Sequence, residues 1–401
     1  MKAVILAAGR SERLKPFTET RAKPMIRVAG QPMLEYSLRG LAAAGVTDVL
    51  IVVHHKGETI SSHFEHGARF GLSIEYIRQD PLDGIGAAVR RCEKQLGGDP
   101  FLLVYGDVLA TGNPFKNVLG QYTETGGAVA ALSLPTSSAE FGNVYVDHDM
   151  RITRLVEKPT NPQVSNYVFA GFYCLPASFL GLLAEVRNDM VQAFQRLVQQ
   201  GALYGSLWDG GWIDITRPWQ ILDANRLVME AWERAEIHTS VKLEGNAHIE
   251  GAVHIEENVR IGAGSILKGP CYIGRDSYIG NNTLIREFTA LGPESIVGYG
   301  TELKNCVLLG RSILGRLSYI GDSVIGERVH LGTGVTTVNH FDDGRLVPFE
   351  SEEGVLSSGH AKLGAFIGDD VVIGARNVLA PGTRVRAGTR VEDLISVRTI
   401  L

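Results

Sequence analysis

A six-residue repeat in the second half of the chain constrains the fold more than any other feature of the sequence. From Leu243 onward an aliphatic residue occupies every sixth position, and a small or modest residue precedes each of them by two places. Each hexad is long enough for one short strand and a turn, so three hexads predict one triangular coil of a parallel β-helix. Glycine directly after many of the aliphatic residues suits the tight corners, which accounts for 47 glycines among 401 residues. The twelve consecutive aliphatic positions are Leu243, Ile249, Ile255, Ile261, Leu267, Ile273, Ile279, Ile285, Leu291, Val297, Leu303 and Leu309.

The repeat contains one long excursion. The frame slips near residues 314–325, recovers at Leu331 and resumes at Ile367, after which it continues to Val391. Residues from about 335 to 364 do not repeat, and an insertion that leaves a solenoid on one side is commonly a binding element. We therefore predict a repeat domain over residues 240–396 with an inserted loop that has a binding role.

Segments typical of strands and helices alternate from residue 1 to about 235. This alternation predicts a mixed, mainly parallel, Rossmann-like α/β sheet covered by helices, which we assign to residues 1–236. In such sheets ligands bind outside the carboxyl ends of the strands. A further helix is expected from Pro218, at its first turn, to about Glu236. Strands are predicted at 3–7, 48–53, 73–77, 101–105, 127–134, 143–146 and 168–174, and helices at 32–44, 57–66, 84–96 and 178–199.

Composition and charge limit the partners of the chain. The formal net charge of −5 argues against a general nucleic-acid or membrane-surface binder. The four cysteines are scattered, without a Cys-x-x-Cys pair, which favours buried thiols in a reducing compartment over disulfides or a zinc site. No apolar run reaches the roughly 18 residues of a membrane span, and no signal peptide precedes the first strand. We therefore expect a cytoplasmic protein that binds neither nucleic acid nor membrane.

The first predicted strand runs directly into a loop of small residues. Lys2–Ile5 is followed by Leu6-Ala-Ala-Gly-Arg-Ser-Glu-Arg-Leu14. The Ala-Ala-Gly turn would let phosphate oxygens approach the backbone N–H groups closely, and Arg13 and Lys23 supply positive charge. A plain turn is the alternative, but the two cations favour a phosphate site. Neither the Walker pattern nor the dinucleotide fingerprint is present.

Two acidic residues follow predicted strands. Asp107 closes the stretch Val104-Tyr-Gly-Asp, and Asp214 lies in Trp212-Ile-Asp. A carboxylate that faces phosphates can hold Mg²⁺, a hard cation that prefers oxygen ligands. Each residue could instead be an ordinary turn or N-cap aspartate. Because both fall at one predicted edge, we expect them to hold one Mg²⁺ together with nucleotide phosphates.

Other polar residues lie at the same predicted edge. Gln79 carries an amide that can pair with the edge of a base, and Gly84 lets the backbone approach that base. Gly142, Glu157 and Lys158 also follow sheet segments, where a carboxylate suits sugar hydroxyls and a lysine suits a phosphate. A helix-starting loop and a surface ion pair are the alternatives for these two clusters.

Taken together, these clusters resemble the signature of the sugar-phosphate nucleotidylyltransferase family. Leu6–Leu14 with Lys23-Pro24 resembles its phosphate loop, and the other motifs follow in the family's order and spacing across the first half. The resemblance implies Mg²⁺-dependent transfer of a nucleotidyl group from UTP or dTTP to a hexose-1-phosphate, with release of pyrophosphate. This reaction needs positioned cations and a metal rather than a side-chain nucleophile. The motifs that follow are Gln79…Gly84, Tyr105-Gly-Asp107, Glu157-Lys-Pro159 and Trp212-x-Asp214.

The resemblance also implies a role for each residue. The triphosphate and the sugar phosphate would be held by Arg13 and Lys23, and the pyrimidine base would be read by Gln79 and Gly84. The implied catalytic residues are Arg13, Lys23 and Asp107, and the implied metal ligands are Asp107 and Asp214. The implied nucleotide contacts are Leu6, Ala8, Gly9, Gln79, Gly84 and Tyr105. The implied sugar-phosphate contacts are Gly142, Glu157, Lys158 and Phe169.

Three positions depart from the pattern of this family. Ser11 replaces a glycine of the phosphate loop and is expected to stiffen it, and Ile85 replaces the common threonine after Gly84. Phe169-Ala-Gly171 stands where Asn-Ala/Thr-Gly is expected, so the amide that would touch the 2-substituent of the sugar is missing. This last departure argues against N-acetylglucosamine-1-phosphate as the substrate.

The repeat resembles that of the left-handed β-helix acyltransferases and oligomerisation domains. The two halves together resemble the bifunctional N-acetylglucosamine-1-phosphate uridylyltransferase/glucosamine-1-phosphate acetyltransferase family, especially its archaeal type, on Ser318–Ser323, Gly332–Asn339 and Lys362–Gly368. This implies acetyl-CoA as a second substrate and a homotrimer. The implied acyltransferase site is Arg316, Tyr319, Asn339 and His340.

Arg316 stands where that family has the histidine that deprotonates the attacking amine. An arginine cannot act as a base near neutral pH, and we do not expect the neighbouring His340 to replace it. Three hypotheses follow: a nucleotidylyltransferase whose β-helix assembles the oligomer or binds a regulator, a bifunctional transferase that accommodates Arg316, and a silent regulatory relative of the kind found in translation-factor subunits. Intact Arg13, Lys23, Asp107 and Asp214 argue against the third.

Overall fold

The computed structural model of the protein describes residues 1–134, 143–156, 167–351 and 354–394. The chain divides into two compact units. The first consists of Met1–Arg10 and Met33–Asp214, and the second consists of Ser11–Pro32 and the chain from Ile215 onward. The segment of residues 11–32 therefore belongs with the repeat, although the sequence places it inside the first half.

The first unit is built on a nine-stranded mixed sheet. Its centre is parallel, because Lys2–Ala7 pairs in parallel with both Asp48–Val53 and Phe101–Tyr105. These strands are apolar and almost entirely buried, as expected of strands covered on both faces. Tyr167–Leu175 then joins the sheet antiparallel to Phe101–Tyr105. The predicted Rossmann-like α/β class is thus confirmed.

The remaining strands and helices of this unit complete the sheet and its cover. Along the main path the strand order is Ile152–Val156, Asn143–Val146, Tyr167–Leu175, Phe101–Tyr105, Lys2–Ala7, Asp48–Val53 and Ser73–Arg78. Off this path, Ala128–Ser133 pairs with Tyr167–Leu175, and Leu203–Leu207 pairs with Ala128–Ser133. A separate pair is formed by Val108–Ala110 and Trp212–Asp214. The helices are Met33–Ala43, Gly57–Phe64, Ile85–Arg90, Glu93–Leu96, Pro114–Thr125, Ser178–Glu185 and Met190–Gln199.

Three predicted helices were wrong in extent. The helix expected at 84–96 is two short helices, and the one expected at 178–199 is broken where Arg187 and Asn188 have positive φ angles of 55° and 66°. Asp189 then caps the next helix, because its side chain accepts a hydrogen bond from Gln192 N–H at 3.0 Å. The helix expected from Pro218 to Glu236 spans only Gln220–Met229.

The second unit is a left-handed parallel β-helix with three faces, as predicted. Strands about eighteen residues apart pair in register, for example Val253 with Cys271 and Ile255 with Ile273. Within the described residues the first face contains Glu236–Ile237, Val253–Ile255, Cys271–Ile273, Thr289–Leu291, Val307–Gly310, Val324–Glu327, Phe366–Ile367 and Arg384–Val385. The second contains Lys242–Leu243, Arg260–Ile261, Tyr278–Ile279, Ile296–Val297, Ile313–Leu314, His330–Leu331, Val372–Ile373 and Arg390–Val391. The third contains His248–Glu250, Ile266–Lys268, Leu284–Ile285, Glu302–Lys304, Tyr319–Gly321, Thr336–Thr337 and Val378–Leu379.

The hexad aliphatic residues fill the interior of the coils, and small hydroxyl residues line the corners. Leu267, Ile285 and Leu303 are fully buried. Buried hydroxyls are satisfied by carbonyls, as in the 2.7 Å bonds that Ser265 Oγ and Thr283 Oγ1 donate to the Gly280 carbonyl. These hydrogen bonds explain why serine and threonine are tolerated at positions without access to water.

The frame of the repeat slips earlier than predicted. Leu308, not Leu309, pairs with Leu291 and lies in the interior cluster of the β-helix. The corner between Glu302–Lys304 and Val307–Gly310 is one residue shorter than the equivalent corner of the preceding coil. Asn305 in this corner has a positive φ of 43°. The short corner advances the frame by one position.

The excursion packs against the unit that carries it. It contains the hairpin Pro348–Ser351 and Gly354–Ser357. Phe349 is 1% exposed, and its ring lies 5.0 Å from Trp219 and 5.5 Å from Phe366, centroid to centroid. These aromatic contacts hold the inserted loop beside the start of helix Gln220–Met229.

Candidate functional site

The two aspartates are brought together by a short pair of strands in the first unit. Asp214 is the last residue of Trp212–Asp214, and it pairs with Val108, the residue after Asp107. Gly106 makes this turn possible, because a Cβ there would lie 2.6 Å from the carbonyl oxygen of Leu6. The Gly106 N–H donates to that oxygen at 3.0 Å, which fixes the turn against the end of the first strand.

A cleft of about 390 Å³ lies at the carboxyl ends of the central strands. It collects residues from three separate motifs, as expected for a parallel sheet whose strand ends share one edge. Ile85 and Ala88 add apolar surface to its wall. The predicted nucleotide-site residues in its lining are Leu6, Ala8, Gly9, Gln79, Gly84, Tyr105 and Asp107.

The Gln79 side chain is held in one orientation within this cleft. It is 4% exposed, and its amide nitrogen donates to the Gly84 carbonyl at 3.0 Å and to Asp83 Oδ1 at 3.2 Å. The guanidinium group of Arg91 donates hydrogen bonds to both carboxylate oxygens of Asp83, at 2.8 and 2.9 Å. Hydrogen bonds from Arg91, and then from Gln79, lower the pKa of Asp83 to about 2. A hydrogen-bonded amide of this kind can discriminate the edge of a base.

Asp83 and Arg91, which hold the Gln79 amide in place, were not foreseen from the sequence. Neither lies in a motif of its own, and an aspartate in a loop before a helix is common. Asp83 directly precedes Gly84, and Arg91 follows the last residue of helix Ile85–Arg90.

A second cavity of about 310 Å³ shares Tyr105 and Ile85 with the cleft at the strand ends. Asp214, Asn143 and Gln195 are its polar lining, and Trp212 is fixed by a 2.9 Å hydrogen bond from its ring nitrogen to the Ala170 carbonyl. The rest of the lining is mostly apolar. Its apolar and aromatic members are Ile85, Val108, Val144, Leu155, Val156, Phe169, Tyr173, Met190, Val191, Phe194 and Trp212.

Phe169 forms part of an aromatic cluster in that wall. Its ring lies 5.6 Å from Tyr173 and 5.4 Å from Phe194, centroid to centroid. An apolar side chain therefore occupies the position where an amide was expected from the family pattern. The other predicted sugar-side residues, Gly142, Glu157 and Lys158, lie outside the described residues.

Arg13 and Lys23 belong to the second unit, in two short 3-10 helices, Glu12–Leu14 and Lys23–Met25. Ser11, which replaces the expected glycine, has a left-handed φ of 53°. Its carbonyl accepts hydrogen bonds from Leu14 N–H at 3.0 Å and from Thr18 Oγ1 at 2.9 Å. The loop thus keeps the glycine-like conformation and gains a side-chain hydrogen bond from Thr18.

Three of the four predicted acyltransferase residues form one hydrogen-bonded group. Asn339 Nδ2 donates to Tyr319 Oη at 3.3 Å and to Asp322 Oδ2 at 2.5 Å, and His340 Nδ1 lies 3.0 Å from Asn339 Oδ1. Arg316 lies in the exposed corner three residues before Tyr319. The structure therefore brings Tyr319, Asn339 and His340 together and leaves Arg316 in a separate exposed corner.

A polar cavity of about 450 Å³ opens beside this group and was not foreseen from the sequence. It is lined by helix Gln220–Met229, by a corner of the β-helix and by the end of the excursion. His360 Nε2 lies 3.6 Å from Asp223 Oδ2, and this carboxylate raises the pKa of the imidazole. Its charged or polar lining residues are Asp223, Arg226, Lys304, Asn305, Asp322, His360 and Lys362.

The described side chains form no cluster of three or more metal ligands. Among residues 1–134, 143–156, 167–351 and 354–394, no group of three histidine, cysteine or acidic side chains is placed to hold a metal ion without further ligands. All four cysteines are buried and reduced, as expected. In the described part of the chain, no helix is long and apolar enough to cross a membrane.

Comparison with known proteins decides the family. The sequence profile of the nucleotidyl transferase family matches residues 2–231. The chain is a nucleotidyl transferase. Its similarity to curated relatives extends through the β-helix as well, so the two units occur together in those proteins.

Two curated relatives are similar to this nucleotidyl transferase over nearly the whole length of both chains. The chain is 32% identical over 394 residues to the "Bifunctional protein GlmU" of Methanocaldococcus jannaschii, covering 96% of this chain and 92% of that protein. It is 31% identical over 397 residues to the "Bifunctional sugar-1-phosphate nucleotidylyltransferase/acetyltransferase" of Sulfurisphaera tokodaii, covering 98% and 96%.

A solved structure supports the assignment for the first part of the chain. A candidate glucose-1-phosphate thymidylyltransferase from Bacillus anthracis, in complex with sucrose, aligns with a TM-score of 0.54 and 26% identity. The alignment covers 57% of this chain and 94% of the other. Nearly all of that chain therefore shares its fold with somewhat more than half of this nucleotidyl transferase.

Proposed function

We propose that this nucleotidyl transferase uses UTP or dTTP and a hexose-1-phosphate, forms a nucleotide sugar and releases pyrophosphate. The observation that carries the proposal is the pair of adjoining cavities. One holds Gln79, Gly84 and Asp107, the other holds Asp214, and both share Tyr105. A nucleotide sugar consists of a base, a phosphate chain and a sugar, and its binding would need a continuous path of this kind.

We propose that the Gln79 amide reads a pyrimidine. The amide is buried, and its nitrogen donates to Asp83 and Gly84, so it offers its Oε1 to the base edge as an acceptor in a fixed orientation. Gly84, with a φ of 100°, keeps its own backbone at the cleft without a Cβ in the way. Leu6 and Ala88 supply an apolar surface for the ring.

We propose that Asp107 and Asp214 hold the Mg²⁺ of the reaction together with phosphate oxygens. The donor set fits, since Mg²⁺ takes one or two carboxylates and completes its shell with water and substrate phosphates. Bound there, the ion would supply charge neutralisation at the phosphates. The chain's own task is positioning: the cleft would align the sugar-phosphate oxygen with the α-phosphorus, opposite the departing pyrophosphate. Arg13 and Lys23 are proposed to neutralise charge on the two anions.

The sugar is proposed to be a hexose that presents an apolar face or a small 2-substituent to Phe169. The Phe169 ring, packed against Tyr173 and Phe194, cannot make the hydrogen bond by which an amide at this position would read an acetamido group. Glucose-1-phosphate is thus favoured over N-acetylglucosamine-1-phosphate. We further propose domains at residues 1–236 and 240–396 and a homotrimer, the latter on resemblance alone.

A pyrophosphate-release panel tests the proposal. UTP, dTTP, ATP and GTP are each combined with glucose-, N-acetylglucosamine- and glucosamine-1-phosphate, with and without Mg²⁺. We expect Mg²⁺-dependent release with a pyrimidine nucleotide and glucose-1-phosphate. Release with no pair, or only with purine nucleotides, would contradict the proposal.

A second activity is favoured by the polar cavity of the β-helix unit. Arg226, Lys304 and Lys362 could hold a sugar phosphate, and Asp322 and Asn305 could hold hydroxyl or amino groups. We propose that an amino-sugar-1-phosphate binds there and is acetylated by acetyl-CoA. In that reaction the amine nitrogen bonds to the thioester carbonyl carbon, the C–S bond breaks, and the CoA thiolate departs.

The proton of the ammonium group needs an acceptor, and we propose His360 for it. Arg316 cannot serve, whereas His360 lines the cavity and is oriented by Asp223. CoA release from acetyl-CoA and glucosamine-1-phosphate tests this. We expect His360→Gln to abolish the CoA release of the wild type. Arg311→His, which places a histidine at a different exposed arginine, is the control and should leave that release intact. If the wild type is inactive and Arg316→His creates the activity, the missing histidine is the cause and His360 has no such role.

A further inference from the structure

The segment that carries Arg13 and Lys23 is fastened to the β-helix by a buried ion pair. Arg21 is 8% exposed and Asp369 is 2% exposed. A guanidinium nitrogen of Arg21 donates to Asp369 Oδ2, and Thr20 Oγ1 donates to the same oxygen at 2.7 Å. The other guanidinium nitrogen reaches Glu327 Oε1 at 3.4 Å. The segment thus meets the coil at the place where the repeat resumes after the excursion.

Asp369 is itself fixed to the neighbouring coil. Its Oδ1 accepts the backbone N–H of Glu327 at 2.8 Å, so the carboxylate joins two coils of the β-helix to the segment. A carboxylate that accepts hydrogen bonds from three directions in a buried place cannot move without leaving a charge uncompensated. The position of Arg21 is therefore determined by the β-helix.

Two more contacts fasten the segment on either side of Lys23. Before it, Glu19 accepts the Ala387 N–H at 2.9 Å, and Arg386 lies 3.6 Å from the same carboxylate. After it, the Ala29 N–H donates to Asn225 Oδ1 at 2.9 Å. A Cβ on Gly30 would lie 2.2 Å from the ring of Tyr272, so the chain there lies directly on a coil.

From these contacts we infer that Asp369 is a positioning residue for nucleotidyl transfer, acting through Arg21 on the segment that presents Arg13 and Lys23. The β-helix is then part of the transferase machinery rather than an appended domain. The inference rests on the proposed roles of Arg13 and Lys23. Lys23 lies two residues after Arg21, and Arg13 is tied to the same segment because Thr18 Oγ1 donates to the Ser11 carbonyl.

The chemistry makes such positioning important. A phosphoryl-type transfer between two anions depends on cations held where charge develops, and a misplacement of about 1 Å can cost roughly a hundredfold in rate. Under the proposed function, the ground-state nucleotide would also be held by the cleft residues around Gln79, which are not among the hydrogen-bond partners of Asp369. Loss of the contact between Asp369 and Arg21 is therefore expected to change kcat more than the KM for the nucleotide.

The test is the Asp369→Asn variant of the full chain in the pyrophosphate-release assay. We expect kcat to fall roughly tenfold to a hundredfold, with a much smaller change in the KM for the nucleotide. Asp370→Asn is the matched control. It removes a neighbouring carboxylate whose partner is the exposed Arg328, at 2.6 and 2.8 Å, and it is expected to leave kcat unchanged.

Thr20→Val provides a second variant in case Asp369→Asn fails to fold. It removes one hydrogen bond to Asp369 without a change of charge or volume, and a loss of several-fold in kcat is expected. Arg13→Lys completes a double-mutant cycle with Asp369→Asn. If Asp369 acts through the segment, its substitution should cost much less in the Arg13→Lys background than in the wild type.

The outcomes separate this inference from the proposed function. If Arg13→Lys lowers the rate but folded Asp369→Asn and Thr20→Val retain the wild-type kcat, the positioning role is overturned and the function stands. If Arg13→Lys itself has full activity, the proposed role of the segment is wrong. Strict additivity of the two losses in the cycle would also overturn the inference.

Discussion

Asp214 pairs directly with Val108 across two short antiparallel strands, which sets its backbone one residue away in register from Asp107. The pairing brings together two motifs that lie more than a hundred positions apart in the sequence. It also gives a reason why both acids occur at the ends of short strands rather than in helices.

Substitution of either aspartate by asparagine is expected to remove most of the Mg²⁺-dependent activity. Each change keeps the shape of the side chain and deletes one charge from the proposed metal site, and loss of such charge stabilisation costs roughly a hundredfold or more. Pyrophosphate release is measured against Mg²⁺ concentration for Asp107→Asn and Asp214→Asn. Asp209→Asn, an exposed acid in the same region, serves as the control. Variants with the wild-type rate and Mg²⁺ requirement would contradict the assignment.

Gly84→Ala is expected to weaken nucleotide binding. Gly84 has a φ of 100°, which a residue with a Cβ rarely adopts, and its carbonyl accepts the Gln79 amide at 3.0 Å. Relaxation of the strain would move that carbonyl and release the amide. We expect the Kd for the preferred nucleotide to rise about tenfold, which corresponds to ~1.4 kcal/mol.

The control for Gly84 is Gly97→Ala. Gly97 also has a positive φ, of 67°, and open space around its Cβ position, but it ends helix Glu93–Leu96 outside the cleft. Gly97→Ala should lower the midpoint of thermal unfolding and leave the Kd for the nucleotide unaltered. Equal effects of the two substitutions on the Kd, measured by calorimetric titration, would show that Gly84 has no local role.

The architecture was predictable where periodicity determined it. The hexad positions from Leu243 to Leu303 specify three faces, because each interior residue repeats at a fixed distance and no alternative fold uses that period. The slip at Leu308 was not predictable, since Leu308 and Leu309 are both aliphatic and both buried. Only the short corner at Asn305 decides between them.

The meeting of Gln79, Tyr105 and Asp107 in one cleft was predictable for a topological reason, and the β-helix cavity was not. Gln79, Tyr105 and Asp107 follow strands of one parallel sheet, whose carboxyl ends must meet at one edge. His360 and Asp223 meet because a helix and an inserted loop pack on the same corner, and no periodicity links the two. The membership of Arg13 and Lys23 in the β-helix unit was likewise hidden, because it depends on the contact between Arg21 and Asp369.

The contribution of His360 to stability is expected to depend on pH. The Asp223 carboxylate, 3.6 Å from the imidazole, raises the pKa of His360 above its ordinary value of 6.5, against the opposing effects of burial and of Arg226. A raised pKa in the folded state means that the stabilisation is fully present below about pH 6.5 and is lost as the pH rises through the folded-state pKa. The free energy of unfolding of His360→Asn should therefore fall furthest below that of the wild type at mildly acid pH.

Chemical denaturation between pH 5 and 8.5 measures this difference. Asp223→Asn should reproduce the pH dependence, because it removes the partner of the same pair. His330→Asn, on the exposed second face, is the control. A His360→Asn effect that is constant across this range would show that the ion pair with Asp223 does not contribute.

Phe169→Asn is expected to shift the sugar preference toward N-acetylglucosamine-1-phosphate. The substitution places an amide where the wall of the sugar-side cavity is aromatic, so an acetamido group gains a hydrogen-bond partner there. The ratio of kcat/KM for N-acetylglucosamine-1-phosphate to that for glucose-1-phosphate should rise on the order of tenfold. The loss of ring contacts with Tyr173 and Phe194 should destabilise the fold by about 2–3 kcal/mol, less than for a fully buried ring.

Phe169→Leu separates the two consequences of that change. Leucine keeps the wall apolar but gives up the aromatic contacts, so it should lower the free energy of unfolding without raising the ratio of kcat/KM values. If both variants raise the ratio equally, the added space and not the amide selects the sugar, since only the asparagine can donate or accept a hydrogen bond. If neither raises it, the 2-substituent does not reach this wall, and the apolar cavity must accommodate another face of the hexose.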